Sequence, residues 1–184
     1  MTEKQAVPRR RSLLATVLYW LRDLALAVVI AVIVIIFIYQ PVKVEGTSMM
    51  PTLVDQERVF VNKFVYRFGL EEIARGDMVV FWFPEDQSKS YIKRVIGIPG
   101  DVIEIDHGTV IRSGQRLAED YVLPEYRDRS SWPARRLEAD QYYVLGDHRN
   151  SSNDSRNWGV VPRSCIYGKA VFVYWPLDKI GLVR

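Results

Sequence analysis

The first pattern along the chain is a long apolar run close to the N-terminus. The segment "LALAVVIAVIVIIFIY", Leu24 to Tyr39, holds sixteen residues without a charge, and "SLLATVLYWL" extends it upstream across only Arg22 and Asp23. A helix needs about 20 apolar residues to cross a bilayer, and residues 13–39 supply 27 positions. The pattern therefore predicts one transmembrane helix over residues 13–39.

A cleavable signal peptide is the alternative interpretation of this run. Its apolar region would be only ~7 to 15 residues long and would end in a small-x-small cleavage site. The following "QPVKVEG" matches such a site poorly, which favours a retained anchor. Basic residues beside a first helix tend to stay in the cytoplasm. We therefore expect residues 1–12 in the cytoplasm and residues 40–184 outside it, in a single-pass protein of the cell membrane. The basic residues before the span are Lys4, Arg9, Arg10 and Arg11.

Beyond the span the pattern changes to short strands. They average about six residues, are rich in β-branched and aromatic side chains, and are separated by Gly, Pro, Asp or Asn. We predict a mainly β protein, in which the single transmembrane helix is followed by one antiparallel β domain over residues 40–184. Two tight turns, His107–Gly108 and Ser113–Gly114, make residues 101–117 a small meander, and the polar residues 125–140 are expected to be a surface excursion. The strand segments are "RVFVNKFV", "DMVVFWF", "YIKRVIGI", "DVIEID", "TVIRS", "QYYVLGD" and "KAVFVYW".

Charge and cysteine content narrow the class of partner. The net charge is +3, four basic residues lie in the cluster before the span, and acidic residues are spread through the rest. This distribution favours an anionic membrane surface over a nucleic acid. Cys165 is the only cysteine, which excludes an intrachain disulfide and suggests a packed small hydrophobe. Trp82, Trp158 and Trp175 are interpreted as either core residues or residues at the bilayer interface.

Three stretches have unusual residue combinations and are candidates for a functional site: "GTSMMPTL" around Ser48, "YIKRVIGIPGD" around Lys93, and "GDHRNSSNDSR" at residues 146–156. Each also has a purely structural interpretation. Ser48 could belong to a turn, and strand alternation lets one of Lys93 and Arg94 point outward while the other points inward. In the polar loop Asp154 could pair with Arg156, while Asp147 and the serines cap backbone groups.

Taken together, these stretches supply a nucleophile and a possible base. A serine hydroxyl needs a neighbouring base, and a lysine can serve if it loses its proton near neutral pH. Burial among apolar side chains disfavours the charged form and lowers a lysine pKa. Lowering the pKa from about 10.4 to ~8 costs the charged form roughly 3 kcal/mol. Burial of one lysine on a strand, such as Lys93, can supply this free-energy penalty on the charged form.

In order and spacing the three stretches resemble the bacterial type I signal peptidases, the leader peptidases of the Ser/Lys protease family. The resemblance extends to "RGDMVVF" and "VFVYWPLDKIG" and covers the span and nearly all of the β domain. It implies that Ser48 attacks the scissile carbonyl, with its backbone N–H donating to the oxyanion, and that Lys93 is the general base. It further implies that Ser152 orients Lys93 and that Asp154 and Arg156 form an ion pair, with Asp147 in support.

The same resemblance implies the substrate and its binding surface. The substrate would be a secretory preprotein whose signal peptide is cut after Ala-x-Ala, without a metal or another cofactor, and the partners would be preproteins and the lipid bilayer, not nucleic acid. The oligomeric state is left open. An extended substrate strand could bind by edge pairing, its small side chains entering shallow pockets. The residues expected at this surface are Val44, Gly46, Met49, Leu53, Tyr91 and Ile92.

Two departures from the family and several alternatives stay open. Some relatives place a serine where this chain has Gly46, as a second oxyanion donor, and relatives commonly carry asparagine where this chain has His148. A histidine beside Asp147 is a rival base, but the apolar setting of Lys93 argues against it, and we expect His148 to hydrogen-bond within its own loop. The alternatives are a conjugation or pilus maturation peptidase and a non-catalytic membrane-anchored β adaptor. Self-cleaving repressors share the Ser/Lys pair but need a DNA-binding domain.

Overall fold

The structure is a computed structural model that describes residues 13–67 and 69–183. The basic cluster predicted to lie in the cytoplasm falls outside the described residues. The chain divides into two compact units, and the boundary lies between Phe37 and Ile38. The described part of the first unit is helical, and the second carries all the strands that the structure describes.

Helix α1, Leu13–Ile38, has 26 residues. All of them except Ile38 belong to the N-terminal unit. Its segment Leu13–Val34 has a mean hydropathy of 2.2, and none of its most apolar part is buried. At about 1.5 Å per residue, a helix of this length exceeds the ~30 Å of a bilayer core. The exposed apolar surface fits the predicted membrane anchor. The helix stops one residue short of the predicted boundary, because Tyr39 begins the first strand.

The second unit is built from two antiparallel sheets. The larger has eight strands in the order β1-β2-β11-β3-β4-β9-β10, with β12 paired to β11, and the smaller has the order β7-β6-β5-β8. The strands are β1 (Tyr39–Lys43), β2 (Arg58–Asn62), β3 (Met78–Phe83), β4 (Asp86–Gly97), β5 (Val102–Asp106), β6 (Thr109–Arg112), β7 (Gln115–Arg116), β8 (Trp132–Arg136), β9 (Gln141–Leu145), β10 (Val161–Pro162), β11 (Ile166–Trp175) and β12 (Gly181–Leu182). Short helices α2 (Phe64–Arg67) and α3 (Ser155–Trp158) and several 3-10 turns join them.

The predicted meander and its turns are confirmed. Strands β5, β6 and β7 pair in sequence, and the two tight turns place His107, Gly108, Ser113 and Gly114 at positive φ. The polar excursion is only partly irregular, because β8 lies inside it and pairs with β5. The sequence pattern missed β8 because four of its five residues are exposed, so no apolar alternation marks the strand.

Clusters of buried apolar side chains pack against both sheets. Strand β3 is buried on both faces from Met78 to Phe81, as its continuous apolar sequence requires. Cys165 is free and buried in one of the apolar clusters, as expected. Trp158 packs on the same cluster, whereas Trp82 and Trp175 are 43% and 50% exposed. Trp158 is therefore a core residue, whereas the placement of Trp82 and Trp175 at a bilayer interface stays a prediction.

Candidate active site

Ser48 lies in the connection between β1 and β2, which backbone and side-chain hydrogen bonds hold in one shape. Gly46, two residues earlier, has φ +90 and donates its N–H to Asp55 Oδ1 at 2.8 Å. That φ favours glycine, because a side chain at positive φ is strained. Met50 N donates to Thr47 O at 3.0 Å, closing a turn around the serine. The connection thus presents a half-buried Ser48 side chain in a fixed position.

Lys93 lies on β4 with its side chain directed at Ser48. Its Nζ is 2.5 Å from Ser48 Oγ, and the residue is only 2% exposed. Burial lowers the pKa of Lys93 to about 8, although the negative charges of Asp154 and Asp147 partly oppose the shift. A lysine with this pKa carries a useful neutral fraction near neutral pH and can accept a proton from a hydroxyl. The geometry is that of a nucleophile beside its general base.

The neighbouring Arg94 does not take the outward position that strand alternation leaves open for one of the two cations. Arg94 is 4% exposed, so both are buried on opposite faces of β4. Arg94 donates two hydrogen bonds to Asp147, at 2.8 and 2.7 Å, and Thr52 Oγ1 donates to the same carboxylate at 2.5 Å. The guanidinium also lies 4.1 Å from the ring centroid of Tyr121. Asp147 therefore ties the polar loop to the strand that carries Lys93.

The predicted ion pair between Asp154 and Arg156 is present. Arg156 donates to the two oxygens of Asp154 at 2.7 and 2.8 Å, and Asp154 is fully buried. Asp154 Oδ2 also accepts the N–H of Gly146 at 2.9 Å, so the pair closes the loop of residues 146–156 on itself. Arg156 reaches further, to the carboxylate of Asp128.

The predicted hydrogen bond between Ser152 and Lys93 is wrong for this structure. Ser152 Oγ is buried and has no hydrogen-bond partner among the residues that the structure describes. The hydroxyl is packed beside Gly146, where an added Cβ would meet Ser152 Oγ at 2.2 Å and Ser48 O at 2.4 Å. In this arrangement Lys93 bonds to the Ser48 hydroxyl instead. Gly146 is required because the loop and the Ser48 backbone approach each other so closely.

His148 bonds outside its own loop, which corrects another expectation. Its backbone N–H donates to Ser48 O at 3.1 Å, and its Nδ1 lies 3.1 Å from Thr47 O. A carbonyl only accepts, so Nδ1 carries the proton in this contact. The ring also packs on Tyr126, with centroids 4.2 Å apart. His148 therefore supports the connection that holds Ser48, while the Ser48 hydroxyl is hydrogen-bonded to Lys93.

A cleft of about 310 Å³ leads away from the Ser48–Lys93 pair. Strands β1 and β4 line its two sides, and they run in the same direction because three antiparallel strands separate them in the sheet. Leu53 is the one predicted binding residue that does not line the cleft, since it is fully buried in the core beneath. The predicted residues that do line it are Val44, Gly46, Met49, Tyr91 and Ile92.

Another wall of this cleft is formed by two aromatic residues that the sequence pattern did not assign to the site. Trp82 and Tyr167 line it, their ring centroids are 4.7 Å apart, and Ser90 Oγ is 2.7 Å from the Tyr167 hydroxyl. Alternation along β3 could have placed Trp82 on the same face as Val80, which also lines the cleft. Tyr167 carries no comparable signal, because a register shift in β11 falls at this position.

The segment of residues 119–128 also contacts the site, although the sequence predicted part of it as a surface excursion. Glu119 accepts from Arg149 at 2.9 and 2.5 Å, and both side chains are at most 5% exposed. Arg149 Nε in turn donates to Gly146 O at 3.0 Å, and Asn150 Nδ2 donates to Glu125 O at 2.9 Å. No local sequence signal joins Glu119 to Arg149, which lie thirty residues apart.

The region offers no obvious metal-binding cluster. Within residues 13–67 and 69–183, no group of three or more His, Cys, Asp and Glu side chains could hold a metal ion. The groups placed for chemistry are the Ser48 hydroxyl, the Lys93 amine and the backbone N–H groups around them.

Comparison with known proteins identifies the family of this chain. The model of the family described as signal peptidase, peptidase S26 matches residues 17–175. The chain is 38% identical over 167 residues to a probable signal peptidase I-1 of Synechocystis sp., an alignment that covers 86% of this chain and 82% of that protein. It is 35% identical over 190 residues to signal peptidase I of Bacillus licheniformis, covering 98% of each. A signal peptidase I from Enterococcus faecalis, of known crystal structure, aligns at a TM-score of 0.48 and 26% identity, over 54% of this chain and 97% of that one. The chain therefore belongs to the S26 family of peptidases, the signal peptidases.

Proposed function

We propose that this protein is a membrane-anchored serine endopeptidase that removes signal peptides from secretory preproteins by means of a Ser48–Lys93 dyad. Membership of the signal peptidase family supports the reaction class. The observation that carries the dyad is the 2.5 Å approach of a buried lysine to a serine hydroxyl at one end of a cleft.

The proposed reaction starts from neutral Lys93. Its amine accepts the proton of Ser48 Oγ as that oxygen attacks the scissile carbonyl, and the backbone N–H of Ser48 donates to the developing oxyanion. The Lys93 ammonium then gives its proton to the leaving amine as the peptide bond breaks. In the second half a water molecule loses a proton to Lys93 and attacks the acyl ester. The Lys93 ammonium then returns this proton to Ser48 Oγ as the ester bond breaks, which releases the acid and restores both residues.

The cleft suggests how the substrate would bind. A peptide chain extended between β1 and β4 can pair with an exposed strand edge, and its alternate side chains then face the cleft wall. Val44, Met49 and Ile92 make this wall apolar near the dyad. Small side chains at the first and third positions before the cut fit such a wall, and this is the basis for proposing Ala-x-Ala sites.

The proposed topology follows from helix α1. We infer that α1 anchors the protein in the cell membrane with residues 1–12 in the cytoplasm, so that the β domain meets preproteins on the outer side. The length and exposed apolar surface of α1 support anchoring, and the basic residues before it support this direction.

Cleavage of a preprotein tests the proposal. The protein in detergent is incubated with a preprotein that carries an Ala-x-Ala site, and the product is sequenced from its N-terminus. We expect one cut directly after the second alanine, and none with Ser48→Ala. A folded wild-type protein that leaves several such preproteins intact would contradict the proposed function and would favour a non-catalytic adaptor.

A further inference from the structure

A second pocket of about 360 Å³ lies next to the cleft that holds Ser48 and Lys93. Trp82 and Tyr167 line both cavities, and their rings form the partition between them. The remaining lining residues of this second pocket are Lys63, Tyr66 and Ile166. The second pocket is therefore a continuation of the cleft past an aromatic pair.

The topology places this second pocket at the end of the cleft away from the dyad. Strand β2 ends one residue before Lys63, β3 ends one residue after Trp82, and β11 begins one residue before Tyr167. Because β2, β11 and β3 are antiparallel neighbours in that order, these strand ends meet at one edge of the sheet. Ser90, hydrogen-bonded to Tyr167, lies at the same edge. Lys93, the dyad residue on this strand, lies three residues further along β4.

Strand geometry gives the substrate position that would reach this edge. Lys93 and Ser90 are three residues apart on β4, which is about 10 Å at ~3.3 Å per residue. A peptide extended beside β4 with its first residue before the cut at the dyad has its fourth residue level with Ser90. That fourth residue is also level with Trp82, which pairs with Ser90 between β3 and β4. The fifth and sixth residues therefore extend past the Trp82–Tyr167 pair toward the space beside Lys63.

Charge distinguishes this end of the path from the apolar part beside the dyad. Lys63 Nζ lies 5.8 Å from the ring centroid of Tyr167, and Lys63 forms no ion pair with any described carboxylate. The nearby Asp77 accepts from the Tyr66 hydroxyl at 2.6 Å, but it is already paired with Lys169 at 2.7 Å. Aromatic walls can cover the stem of a substrate side chain while the lysine meets a negative group at its end.

We propose that the second pocket binds the substrate side chain five or six residues before the scissile bond, and that Lys63 makes an acidic side chain preferred there. The inference rests on the proposed function, because it needs the acyl side of the substrate to occupy the cleft. It adds a charge preference upstream of the small-x-small site, supplied by a residue outside the dyad and its loop.

The test is a charge exchange between enzyme and substrate. Two series of preproteins with one Ala-x-Ala site carry Glu, Gln or Lys, one series at the fifth and the other at the sixth residue before the cut, and kcat/KM is measured with the full-length protein. We expect wild type to favour Glu over Lys by about two- to fivefold at one of these positions, the range typical of one exposed ion pair. Lys63→Met should bring this ratio close to one, and Lys63→Glu should invert it. Arg116→Glu, an equal charge change on exposed β7, is the matched control and should keep the wild-type ratio.

Several outcomes would overturn the proposal. They are equal rates for Glu and Lys substrates in both series with wild type, an unchanged ratio in both Lys63 variants, or the same change in Arg116→Glu. The assays are repeated in neutral detergent with and without anionic phospholipid. If the Lys63 variants alter only the response to that lipid, the second pocket serves the membrane and not the substrate. Absence of any cleavage by wild type would overturn the proposed function as well, whereas cleavage without charge preference would overturn this inference alone.

Discussion

Lys93 and Arg94 are adjacent cations on one strand, both nearly inaccessible to solvent, and the protein treats them in opposite ways. Arg94 receives the paired oxygens of Asp147 and the face of Tyr121, which compensate its charge. Lys93 receives a neutral hydroxyl and apolar surroundings, so that its charge is penalised and its pKa falls to about 8. Burial alone therefore does not make a base, because the loss of solvent must come without a directly bonded carboxylate.

The loop of residues 146–156 keeps these two environments apart. Its carboxylates Asp147 and Asp154 are bonded to Arg94 and Arg156, and they act on Lys93 only through longer-range attraction. Segment 119–128 holds the other side of the loop through the buried Glu119–Arg149 pair. The comparison predicts that changes beside Lys93 affect the reaction, whereas changes beside Arg94 affect the fold.

The largest expected effect comes from removing the base. Lys93→Ala should lower kcat/KM by at least about 10³-fold, because the Ser48 hydroxyl loses its proton acceptor. The double variant Ser48→Ala, Lys93→Ala should be scarcely slower than Lys93→Ala, since the two groups act as one unit. Both are measured on preprotein cleavage, with circular dichroism to verify folding. Ordinary activity in a folded Lys93→Ala variant would remove this lysine from the mechanism.

Removing the carboxylate beside Arg94 should instead destabilise the protein. Asp147→Ala takes both charge-assisted bonds from a buried guanidinium, and breaking a buried pair in this way costs about 3 to 5 kcal/mol. Thermal or denaturant unfolding measures this loss. Lys89→Ala, which removes the exposed pair with Asp86, is the control and should destabilise the protein far less, because exposed ion pairs contribute little to stability. Equal losses in the two variants would contradict the structural role of Asp147.

Removing the charge of Lys93 should instead stabilise the folded protein. The pKa of Lys93 is about 8 in the folded protein against an ordinary lysine value of 10.5, so the unfolded state binds more protons between these values. Stability therefore rises with pH across that window. Lys93→Met should stabilise the protein below pH 8 by up to about 3 kcal/mol, at ~1.36 kcal/mol per pKa unit, and the gain should vanish near pH 10.5. A destabilised Lys93→Met at pH 7 would show that the lysine charge is not penalised.

The smallest effect is expected for the rival base. In His148→Asn the side-chain amide can still donate to Thr47 O, as the Nδ1 proton of the histidine does. We expect kcat/KM within about threefold of wild type, a change of less than ~1 kcal/mol in the barrier. A folded but inactive His148→Asn, alongside an active Lys93→Ala, would transfer the role of base to His148.

Local patterns predicted most of the strands and singled out Ser48 and Lys93, which the structure brings into contact. They failed where long-range packing decides. Alternation and turn residues suffice for β5 and β6, because their neighbours are close in sequence. Strand β1 was missed because Tyr39 continues the apolar run of the span. Leu53 was misplaced because nothing in a short motif distinguishes a cleft wall from the core beneath it. Arg94 was left undecided because its compensation by Asp147 comes from a loop 53 residues away.

The Glu119–Arg149 pair and the position of Ser152 illustrate the same limit. A buried ion pair across thirty residues has no periodic signature, and the orientation of one hydroxyl depends on a close approach of two loops. The family resemblance supplied a role for Ser152 that the geometry of this chain does not reproduce.

The pH dependence of kcat/KM tests most directly whether desolvation makes Lys93 the base. Cleavage of one preprotein is measured from pH 6 to 10 with wild type and with His148→Asn, in which the second ionisable candidate is absent. If Lys93 is the base, the rate rises about tenfold per pH unit and levels off above an apparent pKa near 8, in both proteins. A profile that is flat from pH 6 to 9, or a pKa near 6.5 that disappears in His148→Asn, would contradict it.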